Sequence, residues 1–491
     1  MSDRITSSYL HALQACYYDI GERGIRVDRD RLERAKLVVA AMIEEQLRIA
    51  SAQWGIRVYI GAENAVKGDT NSVNLNSTGG EASLLKKMQS LGYKVPLITK
   101  KNNEGDYESK YSTGELALQK MLATNQFNHP NGDNAIRAIL RVRELGKLNS
   151  AYLNAKLSKR GDYYYFLSGY NVAGTLTGRR SSKKHAFGFG NNGQNFPSHS
   201  DIAGIFRTCL VARPKNILLS VDQVQAEDWP VSALSQNTQA LIELRTGVDR
   251  HSKLATAIFG QNVPSKTDPA WDKSKHEGMR YMGKKVRHAR NYGMRAQRMS
   301  DSLAQEGKVV NVQTCQVLLD KAAAVDPSVT AVFHTYIRSC LERNQTLYSP
   351  FGWERQFLSV RPNSDNNSIF NEAYSWIPQH TVGANTGFAV FYLEENYPEN
   401  QCIIQEGHDS IVQDIPCSAE CILQTLERTS KAFDRKIKFH NGIEIQIPIE
   451  AELSYDFDLK VSLDTLDESG VRKALDKLNQ KIAARNAKEA A

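Results

Sequence analysis

The chain has no apolar run approaching the ~20 residues that a membrane-spanning helix needs. Its first residues, MSDRITSSYLHALQACYYDIGERG, contain no signal-peptide apolar core. Together these absences lead us to expect a chain without membrane partners. The seven cysteines, at positions 16, 209, 315, 340, 402, 417 and 421, are odd in number and scattered. Only Cys417 and Cys421 are close, and no second Cys or His pair completes a zinc pattern. Reduced thiols in a cytoplasmic compartment are the expectation. No internal repeat or long low-complexity tract is present. What is abundant is ordinary: 41% hydrophobic residues and a net charge of +8 over 491 residues. That length points to several subdomains. The charge permits a nucleic-acid partner without requiring one.

A local absence is more informative. No acidic residue occurs from Arg280 to Ser300. The stretch RYMGKKVRHARNYGM (280–294) has helical periodicity. At ~100° per residue, Arg280, Lys284, Arg287, His288 and Asn291 fall on one side. Met279, Met282, Val286 and Ala289 fall on the other. A merely solvated helix usually mixes charge signs in i,i+4 pairs; a helix built to hold polyphosphate does not need to. The plain alternative is a solvated cationic face.

Around this helix the pattern alternates. Residues 28–60 and 132–158 read as helix, with Gly/Asn/Ser/Lys-rich loops at 61–80 and 99–114. From residue 161 the chain reads as strand and turn, followed by a polar loop over 180–200. NILLSVD (216–222) is a short buried strand ending on Asp222. Helical segments dominate 226–345. CIIQEGHDSIVQDIP (402–416) is a strand pair with His408-Asp409 at its turn. A helix follows at 418–437, then a strand, IEIQIPIEAEL (443–453). From Glu468 the chain is a charged helical tail, expected to be solvated or frayed, with partner docking as the lesser reading.

Strands such as 216–222 and 402–416 commonly neighbour each other in one sheet, which would bring Asp222 and Asp409 together. Two close carboxylates repel unless cations lie between them, and hard oxygen ligands select Mg²⁺. Two such ions ~3.5–4 Å apart would serve an in-line phosphoryl transfer, with the cationic helix holding the triphosphate. Singly, each aspartate is as readily a turn residue.

The ordered set of motifs resembles DNA polymerase family A, the family of bacterial DNA polymerase I and related phage replicases. SVDQVQAED matches its motif A (D-x-x-Q-x-E) at Asp222, Gln225 and Glu227. The basic helix matches motif B (R-x3-K-x6-Y-G) at Arg280, Lys284, Tyr292 and Gly293, and GHDSIV matches motif C at His408 and Asp409. TLTGRRSS (175–182), NNGQNFP (191–197), VDRHSKLATAIFG (248–260), WIPQHTVGA (376–384), GIRVD (24–28), VNLNST (73–78) and RELGKLNSAY (143–152) agree.

The resemblance implies an α+β right-hand polymerase: thumb, palm with antiparallel sheet, and helical fingers. Residues 1–27 would lead into the palm base and 28–155 would form the helical thumb. The palm would comprise 156–232 with motif A and 350–465 with motif C, the fingers 233–349, and the charged tail 466–491. By the same resemblance, Asp222 and Asp409, with the backbone of Gln223, bind two Mg²⁺, with Mn²⁺ as a substitute. Arg280, Lys284 and His251 hold the triphosphate of an incoming dNTP, and Lys284 is a candidate acid for the leaving pyrophosphate. Tyr292, His288, Gln225 and Glu227 line the nucleotide site, Glu227 excluding a 2′-hydroxyl. Thr177, Arg179, Gln194, Asn195, Gln379 and His408 contact primer–template DNA, through contacts that position without reading sequence.

Four departures stand out. His288 replaces the family's Phe or Tyr, and Ser410 replaces the acid after the motif C aspartate. Asp228-Trp229 replaces Leu-Arg, and His380 replaces Gly. The thumb-like match begins by about residue 20, which leaves too little chain for a preceding exonuclease domain. The expectation is therefore no proofreading in cis, or a separate chain that supplies exonuclease or processivity. Alternatives are an inactive polymerase-like protein that only clamps primed DNA, and a repair or lesion-bypass enzyme. A two-metal nuclease fits less well, since it needs neither the Lys284 face nor the Glu227 gate.

Overall fold

The computed structural model describes residues 5–490 apart from 62–63, 65, 67–68, 70, 78–82, 102–106, 125–131, 198–200 and 359–366. Thr78 and parts of the two expected loops lie outside the described residues. Two compact units are present: one of Met1–Leu32, Ala155–Met294 and Val317–Ala491, the other of Glu33–Asn154 and Arg295–Gln316.

The larger unit is built on a five-stranded antiparallel sheet. Its strands are β1 (Asn216–Gln223), β2 (Ile403–Glu406), β3 (Ser410–Pro416), β4 (Ile449–Ser454) and β5 (Lys460–Ser462), in the order β2-β3-β1-β4-β5. Its principal helices are α1 (Ser7–Arg23), α2 (Arg250–Phe259), α3 (Lys273–Asn291), α4 (Asn367–Asn396), α5 (Ala419–Phe433) and α6 (Glu468–Ala490). The strand period of two decides what faces where. Ile217, Leu219 and Val221 of β1 enter one core with Ile411 and Ile415 of β3 and Ala451 and Leu453 of β4. Leu13, Tyr17 and Ile20 of α1, Leu393 of α4, and Ile422 and Leu426 of α5 close that core. The intervening residues, Asp222, Ser410 and Glu450, are left on the opposite face. Asp222 pairs in register with Ser410 on one side and with Glu450 on the other.

The expected strand 443–453 is split into Glu444–Ile445 and β4. Pro448, which has no N–H to give to a ladder, lies between the two pieces. The expected tail is corrected. Val471, Ala474 and Leu478 of α6 are buried in the sheet's core, and Arg485 pairs at 2.7 Å with Asp456, which is also buried. The charge of this segment hid an apolar stripe of i, i+3, i+7 spacing.

The smaller unit contains most of a long helix (Arg29–Trp54), a parallel pair (Arg57–Tyr59 with Ser72–Asn74) and three more helices from this region: Leu84–Ser90, Glu115–Thr124 and Gly132–Leu148. Within the expected loop 99–114 lies most of a hairpin, Leu97–Lys101 with Tyr107–Tyr111. The helix Ala296–Gln305 joins this unit, where Asp301 pairs with Lys120 at 2.7 Å. No helix among the described residues is long and apolar enough to cross a membrane. No disulfide joins any of the seven cysteines.

Candidate active site

A cleft of about 430 Å³ opens over the polar face of the sheet. Asp222, Glu227, His251, Arg280, Lys284, His288, Asp409 and Glu450 are among the residues that line it. The two aspartates are brought together by the β1–β3 register. The backbone N–H of Gln223 donates to the Asp409 carbonyl at 3.1 Å, and the Gln223 side-chain amide donates to the same oxygen at 3.3 Å. His408, at φ 74°, turns the chain sharply before Asp409, and its N–H donates to Glu406 at 2.9 Å. The Thr386 hydroxyl, on α4, holds the His408 carbonyl at 2.8 Å. The Gln223 side chain also donates to Thr386 (2.9 Å) and accepts from Asn385 (2.7 Å), so motif A, motif C and α4 share one buried polar network.

Burial raises the pKa of both aspartates. For Asp222 the Asp409 and Glu450 carboxylates raise it further. Arg179 and Lys284 act in the opposite sense on Asp409. A half-buried pair of hard oxygen donors with too little positive charge around it fits a divalent cation. No third His, Cys, Asp or Glu completes a metal-holding cluster among the described residues. A Mg²⁺ held by few carboxylates keeps its other positions for water and phosphate oxygens.

The opposite wall of the cleft belongs to α2 and α3. Their close approach depends on Gly283, where a Cβ would come within 2.3 Å of the His251 carbonyl. Asp249 caps α2, accepting from the N–H groups of His251 and Ser252, and also accepts from Arg280 Nε at 2.6 Å. Lys284 is exposed and makes no ion pair among the described residues. The His251 imidazole is pushed down to about 3 by burial, so it is neutral near pH 7, and its buried Nδ1 has no hydrogen-bond partner among the described residues.

The wheel reading of α3 needs correcting. Arg287 and Asn291 are buried and do not belong to the cationic surface. Arg287 pairs with Asp326 at 2.8 Å and lies 3.6 Å from Asp228, and Asn291 donates to Asp228 at 3.3 Å. Arg250 joins the same cluster, 2.8 Å from Asp326. Asp228 is thereby compensated: burial raises its pKa, but Arg287, His251 and Arg250 bring it below the usual value. These acids come from distant segments, which no helical wheel displays.

Glu227 is the hub of the remaining site residues. Its carboxylate accepts from Arg179 and from the Tyr292 hydroxyl, and His288 Nδ1 lies 3.5 Å away. Burial alone would raise its pKa, yet His288, Arg179 and Tyr292 hold it down at about 2. Tyr292 ends α3, and Gly293 follows at φ 66°, where a Cβ would meet Asn371 and the Tyr374 ring at 2.9–3.0 Å. Gln225 lines the cleft, but its amide donates to the Val248 carbonyl (2.9 Å) and accepts from Arg250 N–H (3.0 Å). Gln194 donates to the buried Glu406 at 2.7 Å, and Asn195 lies beside it in a short 3₁₀ turn. The Thr177 carbonyl contacts His380 Nδ1 at 3.3 Å, and Gln379 is half-buried on α4. Burial brings the His408 imidazole down to about 4. Sequence reasoning missed Asp249, Glu406, Glu450 and Lys266. Only Asp249 carried a signal, as a helix cap in VDRHS.

An antiparallel sheet carrying paired aspartates opposite a basic helix places this chain among the right-hand nucleic-acid polymerases. It belongs to DNA polymerase family A, whose sequence model matches residues 44–456. It is 25% identical over 365 residues to the thermostable DNA polymerase I of Thermus filiformis, covering 71% of this chain and 38% of that protein. It is 29% identical over 280 residues to DNA polymerase I of Synechocystis, covering 57% and 24%. With that of Treponema pallidum it shares 31% over 206 residues, covering 42% and 18%. The chain thus spans well under half the length of these curated relatives. Among solved structures, the POL domain of Pol1 from M. smegmatis, in complex with DNA primer-template and dNTP, shares the fold at a TM-score of 0.68 and 18% identity, covering 91% of this chain and 70% of that one. Family A DNA polymerases generally use divalent metal ions.

Proposed function

We propose that the chain is a template-directed DNA polymerase that adds dNTPs to a primer 3′ end. The observation that carries this reading is the juxtaposition of Asp222 and Asp409 across a cleft from Arg280 and Lys284. In this reading Asp222 and Asp409, with the Gln223 carbonyl, hold two Mg²⁺. The ions, when bound, supply activation of the primer 3′-hydroxyl and stabilisation of the leaving oxygen. Lys284 and Arg280 bind the triphosphate, and Lys284 is the candidate acid for departing pyrophosphate. Neutral His251 offers a hydrogen bond and no charge. Glu227, fixed by Arg179 and Tyr292, stands under the sugar and excludes a 2′-hydroxyl, while His288 lies beside it. Arg179, Gln194, Asn195, Thr177, Gln379 and His408 serve primer and template. Residues 28–155 act as thumb, 233–349 as fingers, and 156–232 with 350–465 as palm.

The test is primer extension by wild type and Asp409→Asn, with dNTPs and rNTPs compared. Mg²⁺-dependent extension with dNTPs, little with rNTPs, and almost none from the variant is the expected result. Retained primer–template binding without extension by the wild type would point instead to a DNA-clamping protein.

A further inference from the structure

Lys266 is a cation of the cleft that none of the motifs contains. It lies in the segment between α2 and α3, and Ser265, Lys266 and Thr267 all line the cleft with Asp222, Asp409, Arg280 and Lys284. The segment is anchored at its start. Val263 is buried and its N–H donates to the Thr256 hydroxyl at 2.9 Å. The Ser252 hydroxyl donates to the Pro264 carbonyl at 2.9 Å and lies 3.1 Å from Asp249, the carboxylate that also holds Arg280. A turn follows, with the Asp268 N–H donating to the Ser265 carbonyl at 3.1 Å. Lys266 is therefore carried into the cleft by a segment tied to the helix cap that positions Arg280.

Its ammonium rests on Glu277 of α3 at 3.2 Å. Positions 277, 280, 284 and 288 are spaced i, i+3, i+7, i+11, so they form one stripe along α3. His288 lies beside Glu227 at one end of the stripe, then come Lys284 and Arg280, and Glu277 with its Lys266 partner ends it. A nucleotide with its sugar at Glu227 and its phosphates along the stripe directs its outermost phosphate toward Lys266. Both partners of the Lys266–Glu277 pair are substantially exposed, with side chains 50% and 40% accessible. Such a pair is weak and is readily exchanged for a phosphate with higher charge. Arg280 is already held by Asp249, which leaves Lys284 and Lys266 as the more available amines.

We propose that Lys266 leaves Glu277 to bind the terminal phosphate of the incoming triphosphate, and the matching phosphate of pyrophosphate in the reverse reaction. This inference rests on the nucleotidyl-transfer reading given above. The test compares wild type, Lys266→Ala, Lys266→Arg and, as a surface-charge control, Lys275→Ala, in single-nucleotide extension and in pyrophosphorolysis. In Lys266→Ala the KM for dNTP rises about tenfold, the KM for pyrophosphate rises in parallel, and kcat and the primer–template Kd stay near wild type. Lys266→Arg restores most of the loss, and Lys275→Ala changes neither constant. Unchanged KM values in an active Lys266→Ala enzyme, or an equal rise in Lys275→Ala, overturn the assignment of Lys266. A wild-type chain that extends no primer overturns the underlying reading as well.

Discussion

Replacing Asp409 by Asn should make the metal-free protein more stable while abolishing its activity. Asp222 lies on β1, Asp409 lies in the turn just before β3, next to Ser410, the register partner of Asp222, and Asp222 also faces Glu450. Two carboxylates about 5 Å apart repel by about 3 kcal/mol at an effective dielectric of about 20. Arg179 and Lys284 act on Asp409 with the opposite sign, and partial exposure screens the pair. The net relief in the variant is then on the order of 1–2 kcal/mol, or a rise of about 1–3 °C in the unfolding midpoint. The sign follows from the raised pKa values of both acids. Each group opposes folding above its unfolded pKa, so the gain appears at pH 7–8 in EDTA and fades as pH falls below about 4. Adding Mg²⁺ reverses the order. A cation bound only by the folded state stabilises it by RT ln(1 + [L]/Kd), about 2.7 kcal/mol at a hundredfold excess over Kd. Wild type should show that shift, and Asp409→Asn little of it. Thermal unfolding at one scan rate, with and without Mg²⁺, measures both effects, and primer extension measures the loss of catalysis. A metal-free variant less stable than wild type, together with an undiminished Mg²⁺ shift, would refute the electrostatic argument.

Glu227→Ala should raise ribonucleotide incorporation relative to deoxynucleotide on the order of 10–100-fold, read in single-turnover assays; an unchanged ratio removes Glu227 from the sugar site. His288→Phe should alter the ratio of dideoxy to deoxy incorporation, because the imidazole 3.5 Å from Glu227 can hydrogen-bond where a phenyl ring cannot. Glu406 is fully buried and burial raises its pKa to about 7, so it opposes folding increasingly as pH rises from about 4.5 to 7. Glu406→Gln should therefore match wild type in stability near pH 4 and exceed it by up to about 3 kcal/mol at pH 8, as measured by denaturant unfolding in EDTA. Leu478→Ala should cost about 2–4 kcal/mol, since Leu478 anchors α6 in the sheet core; a change within error would return that helix to the status of a solvated tail.

The three motifs, their order and the expectation that their aspartates meet were legible because they rest on short-range chemistry. A buried strand ending on an acid, a strand pair with an acid at its turn, and a basic stretch without acidic residues over 280–300 each show locally. Period-two alternation then forces Asp222 to the face opposite Ile217, Leu219 and Val221 in whatever sheet the strand joins. The cleft's remaining electrostatics depend on residues that meet only after folding. Arg287 and Asn291 fall on the cationic side of the wheel, yet Asp228 and Asp326 pack against them in the folded chain. Glu450 became a neighbour of Asp222 only through the β1–β4 register, and Lys266 entered the cleft only through the anchoring of its segment at Ser252. The pairing of charges far apart in the chain is set by how elements pack, whereas the kind of element each segment forms is set by its own periodicity. The sequence alone therefore determined the two acids, the strand and strand pair that present them, and the basic helix, and tertiary packing decided which cations remain available to a phosphate and which are consumed in the core.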